Sequence, residues 1–206
     1  MPAADPAPAP PVTPRPAASL LLVSETATGP ELLMGLRGAG HRFMPNRLVF
    51  PGGAVDPEDF SAPAASEPQP HVLRLLAAEA DAAFGRALLS AAARELEEET
   101  GLTLGAPPTL APLDYICRAI TPTASPVRFD AHFFVASADA VSGAIAGSGE
   151  LEDVRWYGVA DALALDLAFV TRHVIEQLQR WRALDPASRA ARAAVPVLRE
   201  RVWSGG

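Results

Sequence analysis

The stretch Arg94-Glu95-Leu96-Glu97-Glu98-Glu99-Thr100-Gly101-Leu102 constrains this chain more than any other. It sets four carboxylates within five residues, opposed by one arginine. A rotation of about 100° per residue puts Glu95, Glu98 and Glu99 on one face of a helix and turns Glu97 away. Like charges at these spacings repel by roughly 0.2–0.5 kcal/mol per pair. Gly101 supplies a left-handed C-cap, so the cluster stands at a helix end. There the negative pole of the helix dipole adds to the cost. A solvated acidic face is the plain reading of such a run. A bound divalent cation accounts for it better, because hard ions such as Mg²⁺ take one or two carboxylates plus substrate phosphates.

Upstream, Phe50-Pro51-Gly52-Gly53 forms a tight apolar-to-glycine turn, where backbone can approach an ion or phosphate without a Cβ in the way. Loop and helix together read as a metal site. Glu95 and Glu99, four residues apart, are the leading ligands and Glu98 the third. Arg94 reads as structural, pairing with Glu98 or with an acid on the glycine loop, and Glu97 as solvated.

At these residues the chain resembles the Nudix hydrolases. Their signature is Gly, five residues, Glu, seven residues, then Arg-Glu-apolar-any-Glu-Glu-any-Gly-apolar. Its second half is matched by Arg94, Glu95, Leu96, Glu98, Glu99, Gly101 and Leu102. Gly53 opens the first half, but Arg94 follows it by 41 positions instead of fourteen, leaving about 27 inserted residues. Asp59 stands where the first Glu is counted, with Glu58 beside it; either substitutes, or the role is lost. The segment Phe43–Asp56 with its long interruption is similar to a subgroup that includes the mammalian peroxisomal coenzyme A diphosphatase and bacterial relatives. So are Arg118–Pro122, Arg128–Phe134 and Gly149–Trp156.

The resemblance implies an α/β/α sandwich around a mixed β-sheet, and Mg²⁺ or Mn²⁺ as cofactor. It adds the Gly52 carbonyl to the ligand shell and leaves Gly53, Arg94 and Gly101 with structural roles. A further acid from outside the signature, Glu150 or Glu152, is implied as general base or ligand. The implied reaction is hydrolysis of a diphosphate linkage in a nucleoside diphosphate derivative. Coenzyme A or acyl-CoA is the first substrate, yielding 4′-phosphopantetheine and adenosine 3′,5′-bisphosphate. ADP-ribose, a dinucleotide or a nucleoside triphosphate keeps the same chemistry. A catalytically silent nucleotide-sensing module is the competing class, which intact Glu95, Glu98 and Glu99 disfavour. Arg37, Arg42, Arg47 and Arg128 are the candidate diphosphate contacts, since the planar guanidinium donates paired hydrogen bonds.

Composition narrows the partners to small molecules. A formal net charge of −7 disfavours binding to nucleic acid, which needs basic patches. Cys117 is the sole cysteine, so internal disulfides and cysteine-rich zinc sites are excluded. No run reaches the roughly 18–20 apolar residues of a membrane span, and no basic segment precedes an apolar one at the start. A cytoplasmic location is expected. The sequence leaves the oligomeric state open, a homodimer included.

Along the chain, residues 1–17 read as a mobile Pro/Ala-rich leader, and 18–184 as the catalytic domain with an irregular insertion over about 56–86. Residues 185–206 read as a helical tail. Strands are expected at Leu20–Val23, Glu31–Leu36, Arg47–Phe50, Leu113–Ile120, Arg128–Ala136 and Leu151–Tyr157. Helices are expected over His71–Phe84, from Arg86 or Ala87 to Thr100, and over Asp161–Leu165 and Leu167–Leu184, with Leu89, Ala93 and Leu96 as a buried stripe.

Overall fold

In the computed structural model, which describes residues 12–38, 40, 46–79, 81–147 and 149–205, Leu20-Leu21-Leu22-Val23 forms the middle of strand β1 (Arg15–Thr26). All four side chains are buried because both faces of β1 are covered, hence the unbroken apolar run. A tight turn returns the chain as β2 (Gly29–Arg37), antiparallel to β1. β3 (Leu48–Val49) pairs with β2, and β4 (Gly52–Ala54) folds back on β1. Then come α1 (Pro70–Ala77), α2 (Ala82–Thr100), β5 (Leu102–Thr103), β6 (Asp114–Ile120), β7 (Phe129–Ser137), β8 (Ser142–Gly143) and β9 (Leu151–Gly158). The chain finishes with α3 (Val159–Ala164), α4 (Phe169–Arg182), α5 (Pro186–Ala191), β10 (Val197–Arg199) and β11 (Val202–Ser204).

Among the described residues the main sheet runs β11-β10-β6-β7-β1-β2-β3, with β4 also on β1 and β9 also on β2. β1 and β7 are parallel, as are β6 and β10, so the sheet is mixed. β5 and β8 form a separate small ladder. One face packs Leu20 and Leu22 against Leu75, Leu88, Leu89 and Leu96 of α1 and α2. The other packs Leu21 and Met34 against Val174, Ile175 and Leu178 of α4. This is the expected α/β/α sandwich. No helix among the described residues is long and apolar enough to cross a membrane.

Three local expectations change. Arg15, Pro16 and Ala17, assigned to the leader, belong to β1, because β7 supplies their parallel partners Phe129, Asp130 and Ala131. The helix expected over His71–Phe84 is broken. The Asp81 carboxylate accepts the Phe84 N–H at 2.8 Å, so Asp81 caps α2, which begins at Ala82. The tail is helical only over α5; Val197–Ser204 forms a hairpin whose Leu198 is buried beside β6. Its turn escaped detection because Glu200 and Arg201 adopt φ of 48° and 65° with no glycine or asparagine to announce it.

Candidate active site

The signature broken in sequence is closed in space by Arg94. Its Nε and Nη2 donate to the two oxygens of Asp59, each at 3.0 Å, and Nη2 also donates to the Ala54 carbonyl at 3.0 Å. Nη1 reaches Glu95 Oε1 at 2.9 Å and Glu98 Oε2 at 3.0 Å. Asp59 is 3% exposed and also accepts the Asp56 N–H. Asp59 therefore fills the position of the first signature acid, while Glu58 lies exposed. The Asp59 hydrogen bonds, with the Glu95 charge, push the Arg94 pKa further above its already high range.

Glu95 and Glu99 sit against the glycine turn. Glu99 Oε2 accepts the Gly52 N–H at 2.8 Å. Burial pushes the Glu99 carboxyl up to about 8; the Gly52 N–H and Arg37 oppose the shift, and Glu95 and Glu150 add to it. Glu95 is raised as well, chiefly by burial, with Arg94 opposing. Gly53 is required here because an added Cβ would overlap the Glu95 carboxylate. Gly101 ends α2 in the left-handed conformation, φ 73°. Pro51 and Val55 take the ladder bonds with β1, at 3.0 Å each, which leaves Gly52 at the alternate position. Its N–H turns away from β1 to Glu99, and its carbonyl points to the same side.

Among the described residues, no three His, Cys, Asp or Glu side chains converge as a ready-made cation cage. The donor set nevertheless suits a hard divalent ion. Two carboxylates are buried at a helix C-terminus, where, among the described residues, Arg94, the Gly52 N–H and Arg37 offset their charge. Undercompensated buried charge is costly, and an ion that takes oxygen ligands relieves it.

Beside this acidic end opens a cavity of about 510 Å³ between the sheet and the start of α4. Ala17, Ala131 and Ala119 lie in register across β1, β7 and β6 and form its floor. Glu95, Glu150 and Arg37 stand at its acidic edge.

A NUDIX domain model matches residues 13–178. The chain belongs to the Nudix family. Its fold is similar to a Nudix hydrolase from Alicyclobacillus acidocaldarius, at 25% identity over 80% of this chain and 90% of that one, TM-score 0.63. It is also similar to a MutT protein from Methanosarcina mazei, at 19% identity, 82% and 96% coverage and TM-score 0.55. A third likeness is the NUDIX domain of Shewanella oneidensis NrtR complexed with ADP ribose, at 18% identity, 82% and 88% coverage and TM-score 0.52. No curated protein is similar enough in sequence to count as a match. The chain is a Nudix hydrolase, an enzyme acting on pyrophosphate bonds.

The Nudix helix brings Glu95 and Glu99 together but holds Glu98 differently. Its side chain is 59% exposed and folded onto Arg94. Of the two outside acids, Glu150 lines the cavity and Glu152 does not. Glu150 precedes β9, which begins at Leu151, so strand alternation does not tie its direction to that of Glu152. Arg37 lines the cavity, with a buried Nε that has no hydrogen-bond partner among the described residues. Arg47 instead turns outward to the carboxylate and carbonyl of Asp166. Arg128 is buried and donates to the carbonyls of Thr121, at 3.0 Å, and Val12, at 2.6 Å, so it braces backbone. Arg42 lies outside the described residues.

Two cavity arginines were missed, Arg15 and Arg201. Neither neighbours a motif, and only strand pairing brings them to the site. Phe129 lines the cavity, and so does Phe133, which is also a buried member of the core on that side of the sheet. Cys117 is fully buried and burial raises its thiol, so it is no nucleophile.

Proposed function

We propose that this Nudix hydrolase cleaves the diphosphate linkage of a nucleoside diphosphate derivative in a metal-dependent reaction, with coenzyme A or acyl-CoA as the first substrate. The observation that carries the reading is the pair of buried carboxylates, Glu95 and Glu99, clamped against Gly52 and Gly53 at the mouth of a large cavity. Mg²⁺ or Mn²⁺, when bound, supplies positive charge that offsets what builds on the phosphoryl oxygens. Glu95, Glu99 and the Gly52 carbonyl would hold it, with Glu98 released from Arg94 as a further ligand.

The rest falls to the protein itself. Asp59 and Arg94 fix the helix end to the glycine turn, so the carboxylates need little rearrangement. Arg37 offers a donor to a non-bridging phosphate oxygen. Glu150 takes a proton from the attacking water, which adds to one phosphorus as the bridging oxygen leaves with the other phosphate. The alanine floor accepts the nucleotide without side chains projecting into its path.

Incubation with Mg²⁺ or Mn²⁺ and a panel of diphosphates, with products identified by mass, tests this. Coenzyme A should yield 4′-phosphopantetheine and adenosine 3′,5′-bisphosphate. The second reading is ADP-ribose, favoured by the likeness to a NUDIX domain complexed with ADP ribose. Turnover of ADP-ribose alone would move the substrate and keep the mechanism. No turnover of any diphosphate would reject both.

A further inference from the structure

The loop that carries Glu150 is fastened to the end of the Nudix helix. β8 runs antiparallel to β5, which follows α2 directly, with Gly143 opposite Leu102 and Ser142 opposite Thr103. Three residues past Gly143, the Ala146 N–H donates to the Thr100 carbonyl at 2.8 Å. That carbonyl belongs to the last turn of α2, where the helix itself offers no donor, so the loop supplies one. Thr100 is in turn held firmly. It is fully buried, and its hydroxyl donates to the Leu96 carbonyl at 2.6 Å and accepts the Leu102 N–H at 3.2 Å.

Loop and helix end meet backbone to backbone. A Cβ on Gly143 would stand 2.6 Å from the Gly101 carbonyl oxygen, and one on Gly101 would stand 2.8 Å from that of Ala144. Both residues also have positive φ, 109° and 73°. Gly101 therefore does more than end α2; it leaves room for the loop, and Gly143, outside the signature, is its counterpart. Four residues beyond Ala146, Glu150 reaches the cavity edge where Glu95 stands. Its carbonyl accepts the Gly38 N–H at 3.2 Å, one residue past Arg37. Burial raises the carboxyls of Glu95 and Glu99, and the Glu150 charge adds to each rise.

We propose that Gly143 is a positioning residue: packed on Gly101, it sets the Glu150 carboxylate relative to Glu95 and Glu99. General base and metal-binding pair then take their places from one helix end. The inference rests on the reading of Glu150 as the base. A base acts only within hydrogen-bond reach of the proton it takes. A misplacement of about 1 Å costs on the order of a hundredfold. Gly143→Ala forces such a shift, because the atom its methyl meets is a backbone oxygen and not the end of a side chain that can swing aside.

Turnover, Mn²⁺ stabilisation and amide exchange of the full chain test this together. Gly143→Ala should lower kcat about a hundredfold while KM stays within about twofold. Ala146→Pro, which removes the N–H given to Thr100, should do the same. Mn²⁺ should stabilise both variants as it does wild type, because Glu95 and Glu99 stay in place. Glu150→Gln should also lose about a hundredfold, and adding Gly143→Ala to it should cost no more than about threefold further. In wild type the Ala146 amide should exchange at least about tenfold more slowly than in an unstructured peptide, and Gly143→Ala should lose that protection. An unprotected Ala146 amide in wild type would overturn the assignment. So would near-normal kcat in Gly143→Ala beside an inactive Glu150→Gln, a second full loss in the double variant, or loss of the Mn²⁺ stabilisation. Wild-type turnover in Glu150→Gln, with amide protection as expected, would leave the attachment standing and remove Glu150 as the base.

Discussion

Asp59 and Arg94 meet in a two-pronged hydrogen bond although 34 residues separate them, and the exposed neighbour Glu58 takes no part. Removing one member of a buried ion pair strands the other. Arg94 keeps Ala54, Glu95 and Glu98, so Asp59→Ala should cost about 3 kcal/mol, near the low end for such pairs. Urea denaturation reads this directly. Glu58→Ala, the control, should stay within about 0.5 kcal/mol of wild type.

Gly53→Ala tests the fit between turn and helix. The added methyl occupies the space of the Glu95 carboxylate, a flexible group that can swing aside. The fold should therefore survive with little change in thermal midpoint. Turnover should fall by about a hundredfold, as expected when a catalytic group is displaced by about 1 Å. Near-normal kcat would show that the position of Glu95 is unimportant.

Glu99→Gln should abolish metal-dependent turnover while leaving the metal-free protein folded, because the amide can still accept the Gly52 N–H. Saturating Mn²⁺, at about a hundred times its Kd, should stabilise wild type by about 2.7 kcal/mol. The variant should show little of that gain in thermal melts. An equal gain in both proteins would place the ion elsewhere.

His132 offers a pH test away from the site. It is 1% exposed, stacked on Tyr115 with centroids 5.7 Å apart and edge-on to Phe84 at 6.2 Å. Burial, with the Arg118 charge, lowers its imidazole to about 4, outweighing the Asp130 charge. The unfolded chain protonates near pH 6.5, before the folded one does. Its contribution is thus complete above about pH 6.5 and is lost as the pH falls toward about 4, by at most about 3 kcal/mol. His132→Gln should flatten this part of the stability profile between about pH 7 and pH 4, measured by urea midpoints.

Local chemistry explains which features the sequence disclosed. Gly101 marks the end of α2 because a left-handed residue can follow only a finished helix. The stripe Leu89, Ala93 and Leu96 is buried because three- and four-residue spacing selects one side of a helix. Five residues separate Gly53 from Asp59, and distance in sequence does not matter once the fork has closed. The arginines were less readable, because Arg37 and Arg47 look alike beside a glycine turn. Their fates depend on Asp166, more than a hundred residues further on, which captures one and leaves the other. Arg15 and Arg201 depend on a parallel pairing and on a turn without the usual residues. Neither dependence leaves a local trace.

The detour between Asp59 and Arg94 is pinned at both ends, and Ser61 to Ala65 along it are all exposed. A path fastened in this way can lengthen at a cost that grows only with the logarithm of its length. That makes Ala62–Ala64 a natural splice point for a foreign peptide or fluorescent reporter, with the catalytic machinery left undisturbed behind the seam.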